Sequence, residues 1–338
     1  MKGLVERLCS HFQKYVKTYL FIILPFFAIL IGTYRFNGNE SKGHAFISYS
    51  SLDDSLKSPD VINYDRYVQA FRDDVEILDS VEPPFSQRPL QPFLASLLPF
   101  DNDTSLNMIN LAASLISLLL IWLIMGYYQV NVGVKVLSIF LFVFSFPYFY
   151  YTSVSRIDPL AVMVVALGIW VYFRFGLLYS LLILPIAIAQ KEVALLYMLF
   201  VAFDYFKPTN IKTSFKTIIL LLAVGLIYLL AKKMLLPGGE YSWTPEIYTL
   251  VENLSRPRAC LSVLLSLFPL LIVLAFFREN IRMMEDIGYL AGILSIALLI
   301  IYSFIAAYTD GRFVFIGYPI LIIYLSILIN RHLAIKRA

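Results

Sequence analysis

Cysteine, histidine and charge are what this chain has least of. Its two cysteines, Cys9 and Cys260, lie before the first apolar run and at the start of a late one. Neither a disulfide framework nor a thiolate metal site is indicated by that pair. The three histidines, His11, His44 and His332, all fall outside the apolar runs, which weakens any mechanism that needs an intramembrane histidine. Charged residues make up 15% of the chain and hydrophobic residues 59%. A soluble domain cannot hide that much apolar surface, so the composition reads as a polytopic membrane protein. The net charge of +4 then reflects Lys and Arg that set topology, and no nucleic-acid partner is expected. No internal repeat or low-complexity tract is evident.

What is present is a succession of apolar runs divided by a few charged turns. Lys2, Arg7, Lys14 and Lys17 precede an apolar run from Thr18 to Tyr34. No small-residue cleavage site follows it, so it reads as a retained first helix with its basic end in the cytoplasm. From Arg35 to about Ser105 the chain is polar and rich in proline, a first outer loop of a length that is usually functional. Within it Val61, Tyr64, Val68, Phe71, Val75 and Leu78 recur every three or four residues, which predicts an amphipathic helix on the membrane surface. The apolar piece Phe93 to Leu98 is too short to span.

The further apolar segments are Leu106 to Tyr128, Val134 to Tyr151, Pro159 to Phe173, Leu177 to Ala189 and Val193 to Phe206. Phe215 to Leu230, Cys260 to Phe277, Ile287 to Tyr308 and Phe313 to Asn330 follow. With the first helix these predict about ten hydrophobic segments in an all-α polytopic domain covering residues 1–338, with the loop at 35–105. Both termini are placed in the cytoplasm, with Lys135, Arg174, Lys207, Lys212, Lys216, Arg278 and Arg282 on that side. Arg156, Lys191 and Arg312 occupy outer turns, each near an acid, and the basic bias supports this orientation. Merging two of the three short segments between 159 and 206 would invert everything that follows.

On this topology four charged features share the outer face: Asp65 in Asn63-Tyr64-Asp65-Arg66-Tyr67, Arg156-Ile157-Asp158-Pro159, Gln190-Lys191-Glu192, and Asp310-Gly311-Arg312. Charge near a bilayer costs about 2.5–3.5 kcal/mol per group at mid-depth and is kept by pairing, by snorkelling or by function. Asp65 is either a solvated loop carboxylate or a general base, which needs only to reach a hydroxyl proton. Asp53, Asp54, Asp73 and Asp74 are rivals, although the doublets look solvated. Taken alone, Arg156 and Asp158 read as a local ion pair, with Pro159 opening the next helix. Lys191 and Glu192 are harder to explain, because apolar sequence flanks them on both sides. Arg312 is an interfacial anchor or a ligand group. Lys232 and Lys233 read as snorkelling residues, and Phe146 to Tyr151 as an aromatic belt. Together the outer cations make an electropositive vestibule suited to a phosphate or pyrophosphate head group.

This arrangement resembles the GT-C superfamily of integral-membrane glycosyltransferases, which includes protein O-mannosyltransferases and aminoarabinose transferases. The matches are Asp65 with Tyr67 and Ala70 in the first outer loop, then Arg88-Pro89-Leu90-Gln91-Pro92 before the second span. Ser155-Arg156-Ile157-Asp158-Pro159, Lys191-Glu192, and Arg312-Phe313 with Pro319 follow in the family's order, spread over residues 63–319. The family's acidic doublet is absent, since Asp65 stands as Tyr-Asp-Arg, and no soluble outer domain follows the last apolar run. The resemblance implies transfer of a sugar from a polyprenyl-phosphate donor to a hydroxyl acceptor, lipid-borne or glycan, at the periplasmic face of a bacterial inner membrane, with inversion. Asp65 would be the base, and Arg88, Arg156, Lys191 and Arg312 would hold the donor phosphate. Tyr67, Asp158, Glu192 and Asp310 are secondary candidates. Some relatives use a divalent metal; no DxD-type ligand set stands beside Asp65, so no cofactor is predicted.

Two other classes compete. A lipid flippase or transporter should carry charges deep in its helices or paired broken helices, whereas these charges cluster at helix ends. A lipid-linked polysaccharide polymerase or ligase would place its long loop late in the chain rather than after the first span.

Overall fold

A computed structural model describes residues 59–76, 81, 83–152, 157–208, 210–235, 247–257, 260–269, 271, 287–305 and 312–335. The first apolar run, Asp53, Asp54, Arg156 and Asp310 lie outside them. Every regular element among the described residues is helical. Three helices among the described residues are long and apolar enough to cross a membrane: Asn102–Tyr127, Asp158–Phe175 and Ile211–Met234. The expected count of about ten spans is therefore met only in part, and several expected spans are broken or short.

The loop region opens with α1 (Pro59–Asp73), a 3-10 turn (Phe85–Gln87) and α2 (Leu90–Ser96). α1 stops earlier than its periodicity suggested, because Asp73 and Asp74 bring negative charge to a helix C-terminus. Asp74 turns into the left-handed region at φ 52°, which aspartate tolerates. The expected surface helix is in fact covered by protein. Tyr64, Tyr67 and Val68 are fully buried, and Tyr64 and Val68 pack with Ala95 of α2 and Leu106. Arg72 secures this cap by donating to the carbonyls of Leu98 and Phe100, to Asn102 Oδ1 and to Ser105 Oγ.

Next come α3 (Asn102–Tyr127), α4 (Val132–Val143), α5 (Phe146–Thr152) and α6 (Asp158–Phe175). Asp101 caps α3 by accepting from the Thr104 amide at 2.9 Å. The expected span Val134 to Tyr151 breaks at Ser145, because Pro147 has no N–H for the Val143 carbonyl and its ring crowds that carbonyl in a continuous helix. Tyr148 is consequently 1% exposed and packs on Phe142 at 5.2 Å between centroids, so it belongs to the core and not to an aromatic belt.

The short segments follow as α7 (Leu177–Leu181), α8 (Leu184–Gln190), a 3-10 turn (Glu192–Leu195) and α9 (Leu196–Phe206). Pro185 near the start of α8 divides it from α7. Gly176, at φ 93°, makes the turn out of α6 that a residue with a Cβ would resist. The remaining elements are α10 (Ile211–Leu235), α11 (Ile247–Ser255), α12 (Cys260–Pro269), α13 (Ile287–Ile305), α14 (Arg312–Ile316) and α15 (Tyr318–Ile335). The last expected span thus breaks at Gly317, where Pro319 starts a new helix.

α6 and α15 are apolar on nearly all sides and buried on nearly all sides, which makes them the inner helices. α10 exposes Leu222, Leu226 and Leu229, an apolar surface suited to lipid. α3 presents Asn110, Ala113, Ser114 and Ser117, all buried, as a stripe of small and polar residues. Small residues let helix backbones approach closely where lipid supplies no hydrophobic drive.

Contacts at helix ends fix how the chain alternates. Tyr127 stacks on Phe173 at 5.4 Å, Tyr172 donates to Asp204, and Asn330 accepts from the Asn131 amide. The C-terminal ends of α3, α6, α9 and α15 therefore share one end of the bundle. Their N-terminal ends, with α1 and α2, share the other. α7 with α8 is accordingly a return path, and the three short segments do not merge.

Gly168 on α6 tests the inner packing. A Cβ there would lie 2.4 Å from Tyr197 Cδ2, whereas one at Gly225 on α10 would meet nothing within 4 Å. Gly168→Ala is expected to destabilise the solubilised protein by about 1–3 kcal/mol through overpacking. Gly225→Ala is expected to be neutral or stabilising by about 0.5–1 kcal/mol, as measured by thermal unfolding in detergent.

Candidate functional site at the loop end of the bundle

A non-helical step separates α8 from α9, and that step carries the charges. Lys191 is extended (φ −173°, ψ 135°), and Glu192 begins a single 3-10 turn. The step sends the two adjacent side chains to different partners. Lys191 Nζ donates to Asp158 Oδ1 at 2.6 Å, and both side chains are 0% exposed. Asp158 is the first residue of α6, where the helix N-terminus also favours negative charge. The Phe313 ring of α14 closes over the ammonium at 5.1 Å from its centroid. Gln190, fully buried beside them, donates to the Ile157 carbonyl at 2.7 Å.

Glu192 takes a different cation. Arg88, just before α2, donates from Nη2 to Oε1 at 2.7 Å and from Nε to Oε2 at 3.3 Å, a two-point contact. Arg88 Nη1 reaches Tyr64 Oη at 3.4 Å. Burial opposes the charged guanidinium, but the Glu192 carboxylate and then Tyr64 outweigh it and raise its pKa above the usual arginine value. Burial would likewise raise the Glu192 carboxyl. The charges of Arg88 and Lys191 outweigh that and hold it at about 2, against an ordinary 4.5. Tyr228 of α10 lies within electrostatic reach of both Arg88 and Glu192, and Lys232 sits over its ring at 5.8 Å.

A pocket of about 370 Å³ opens beside Glu192. Glu192 supplies its polar edge. Val193, Leu196, Leu298, Leu299 and Tyr302, from the 3-10 turn, α9 and α13, supply the walls. Among the described residues no group of three or more His, Cys, Asp and Glu is arranged to hold a metal ion.

The predicted site residues divide as follows. Arg88, Asp158, Lys191 and Glu192, separated by up to 104 positions, are brought together. Asp65 stands one residue from Tyr64 on α1, half-buried; its backbone carbonyl accepts from Asn102 Nδ2 at 3.3 Å. Tyr67 is 0% exposed and donates to the Ser86 carbonyl at 2.8 Å, which ties α1 to the 3-10 turn. Burial, and then Tyr64, raise its hydroxyl pKa well above the usual tyrosine value. Asp73 and Asp74 are exposed, in keeping with their reading as solvated charge. Arg156 and Asp310 lie outside the described residues, as does the side chain of Arg312.

Sequence reasoning missed Tyr64, whose place on the buried stripe was visible but whose polar end was not weighed. It also missed the Phe313 cover and the approach of Tyr228 with Lys232, which no spacing rule reveals. Comparison of the chain with protein-family models, with curated proteins and with solved structures gives no match.

Lys191→Met should destabilise the protein by about 3–5 kcal/mol, because it strips the buried Asp158 of a counter-charge. Adding Asp158→Asn to it is expected to recover much of that loss in a double-mutant cycle of unfolding free energies. Glu192, with its folded pKa depressed, contributes stability that is complete above pH 4.5 and is lost as pH falls toward 2. Acid titration of thermal stability in detergent should therefore show a steeper fall over that window for wild type than for Glu192→Gln.

Proposed function

We propose that this protein is a membrane glycosyltransferase that moves a sugar from a polyprenyl-phosphate donor to a hydroxyl acceptor. The observation that carries the reading is the convergence of Tyr64, Arg88, Asp158, Lys191 and Glu192 at one end of an apolar bundle, beside an apolar pocket. A phosphate carrying a long apolar chain needs both features. Its head group needs a fixed cation with planar, two-point geometry, which Arg88 has, and its chain needs an apolar path from the bilayer, which the walls of α9 and α13 offer. The GT-C-like order of motifs around Asp65, Arg88, Arg156, Lys191 and Arg312 supports the same reading. Location at the outer face of a bacterial inner membrane, and some ten spans in all, belong to this proposal.

In the reaction, Asp65 takes the proton of the acceptor hydroxyl as its oxygen attacks the anomeric carbon. The bond from that carbon to the phosphate oxygen breaks, and the lipid phosphate leaves with the electron pair. Attack opposite the leaving group inverts the centre. Among the described residues Asp65 makes no salt bridge. Arg88 stabilises the charge developing on the phosphate, with Arg156 and Arg312 as further donors. Lys191, enclosed by Asp158 and Phe313, acts through the field it adds and not by contact.

Purified protein with radiolabelled polyprenyl-phosphate sugars tests this. Wild type is expected to release lipid phosphate, and Asp65→Asn to lose about 10²–10⁴-fold in rate while remaining folded. Equal turnover in both would remove Asp65 from the role of base. Absence of turnover with every donor, together with binding of a lipid-linked oligosaccharide, would favour a polymerase or transporter.

A further inference from the structure

Glu192 has no place in the transfer step, yet it occupies the two-point face of the guanidinium that a phosphate would use. Three of the five N–H groups of Arg88 are engaged, two by Glu192 and one by Tyr64. A carboxylate and a phosphate monoester both present paired anionic oxygens to that face. The two buried pairs differ in a way that matters here. Lys191 and Asp158 are both 0% exposed, but Glu192 is 30% exposed against 9% for Arg88, and it lines the pocket. Glu192 also stands at the start of a four-residue 3-10 turn, directly after an extended residue. Such a turn has poorer hydrogen bonds than an α-helix and yields more readily.

We infer that Glu192 is a built-in stand-in for the ligand's phosphate: it holds Arg88 in place when the site is empty and is displaced when an apolar-chained phosphate enters. This rests on the phosphate-site reading above and adds the group that competes for the site. Displaced from Arg88, the partly exposed Glu192 side chain turns outward, away from the apolar walls that the ligand's chain fills. Its charge works against the incoming anion, so only a ligand whose chain also fills the apolar walls gains enough to displace it. A short soluble phosphate, lacking the chain, does not. The carboxylate would thereby set a preference for lipid-borne over free phosphates at a single arginine.

The test measures dodecyl phosphate, dodecanol and inorganic phosphate binding to the full chain in phosphatidylcholine nanodiscs. For wild type, dodecyl phosphate is expected to bind more tightly than dodecanol, and inorganic phosphate not measurably. Glu192→Gln should tighten dodecyl phosphate by about tenfold, leave dodecanol unchanged and make inorganic phosphate binding detectable. Arg88→Lys in the Glu192→Gln background should abolish that gain, because lysine keeps the charge but loses the two-point geometry. Glu192→Gln leaves Arg88 without its counter-ion and can weaken folding. Glu192→Asp keeps the charge and shortens the reach, and it is expected to give a smaller gain in the same direction. A gain in thermal stability of Glu192→Gln on adding dodecyl phosphate, larger than that of wild type, is the second readout. If wild type prefers dodecyl phosphate and neither Glu192 variant tightens it, the stand-in role is wrong and the phosphate site survives. If wild type binds dodecyl phosphate no better than dodecanol, the phosphate site itself is wrong and the stand-in role falls with it.

Discussion

The pair between Lys191 and Asp158 is the constraint from which the loop end of the bundle follows. Both groups are fully buried at the junction of α6 and α8, where each ion alone would cost several kcal/mol to desolvate. Such a pair adds little net stability compared with apolar residues of the same size. What it adds is position, because leaving either buried charge unmet by the other is costly. Fixing Lys191 fixes the extended step after α8, and that step aims Glu192 at Arg88 and the mouth of the pocket. The Phe313 ring completes the enclosure and ties the α14 region to the same point.

Arg88 arrives at this junction by a separate route. α1 and α2 are held on the N-terminal end of α3 by the Tyr67–Ser86 hydrogen bond and by the fan of bonds from Arg72. Arg88 lies between these two anchors, with Tyr64 on one side and Glu192 on the other. The first-loop cap and the helical bundle are thus joined by a salt bridge over 104 positions of sequence. The joint is asymmetric, with a partly exposed carboxylate against a nearly buried guanidinium.

The order of the apolar runs also dictates sidedness without any reference to a membrane. Four helices, α3, α6, α9 and α15, run the same way and collect their starts at the loop end. The return paths between them are short, broken or outermost. α7 with α8 spans 177–190, about 21 Å at helical rise, less than the hydrocarbon thickness. Short return segments of this kind are tolerated where protein and not lipid covers them. One face meets this condition, since Ser180, Leu184, Ala187, Ile188 and Gln190 are buried, while Leu178, Tyr179 and Leu182 stay exposed.

Much of this was legible from residues alone. Apolar runs dictate helices because, away from water, the backbone can satisfy its polar groups only internally, so α3, α6, α10, α13 and α15 lie close to where the runs lie. Charges stranded between apolar runs announced Asp158, Lys191 and Glu192, since stranded charge has to be paired or used, whereas Arg88, inside the polar loop, stood out only through the family resemblance. Their pairing was not legible. Lys191 is the sequence neighbour of Glu192, yet it meets Asp158, 33 positions away, while Glu192 meets Arg88. Helix breaks at Ser145, Ile183 and Gly317 were hidden as well, because hydrophobicity averages over a proline that backbone sterics cannot ignore. Composition determined an all-helical, membrane-suited chain and selected the residues too costly to be idle. Only the tertiary structure decided which charge answers which. Coulomb attraction and desolvation act over a few ångströms of space, and the sequence specifies that distance only after the helices have packed.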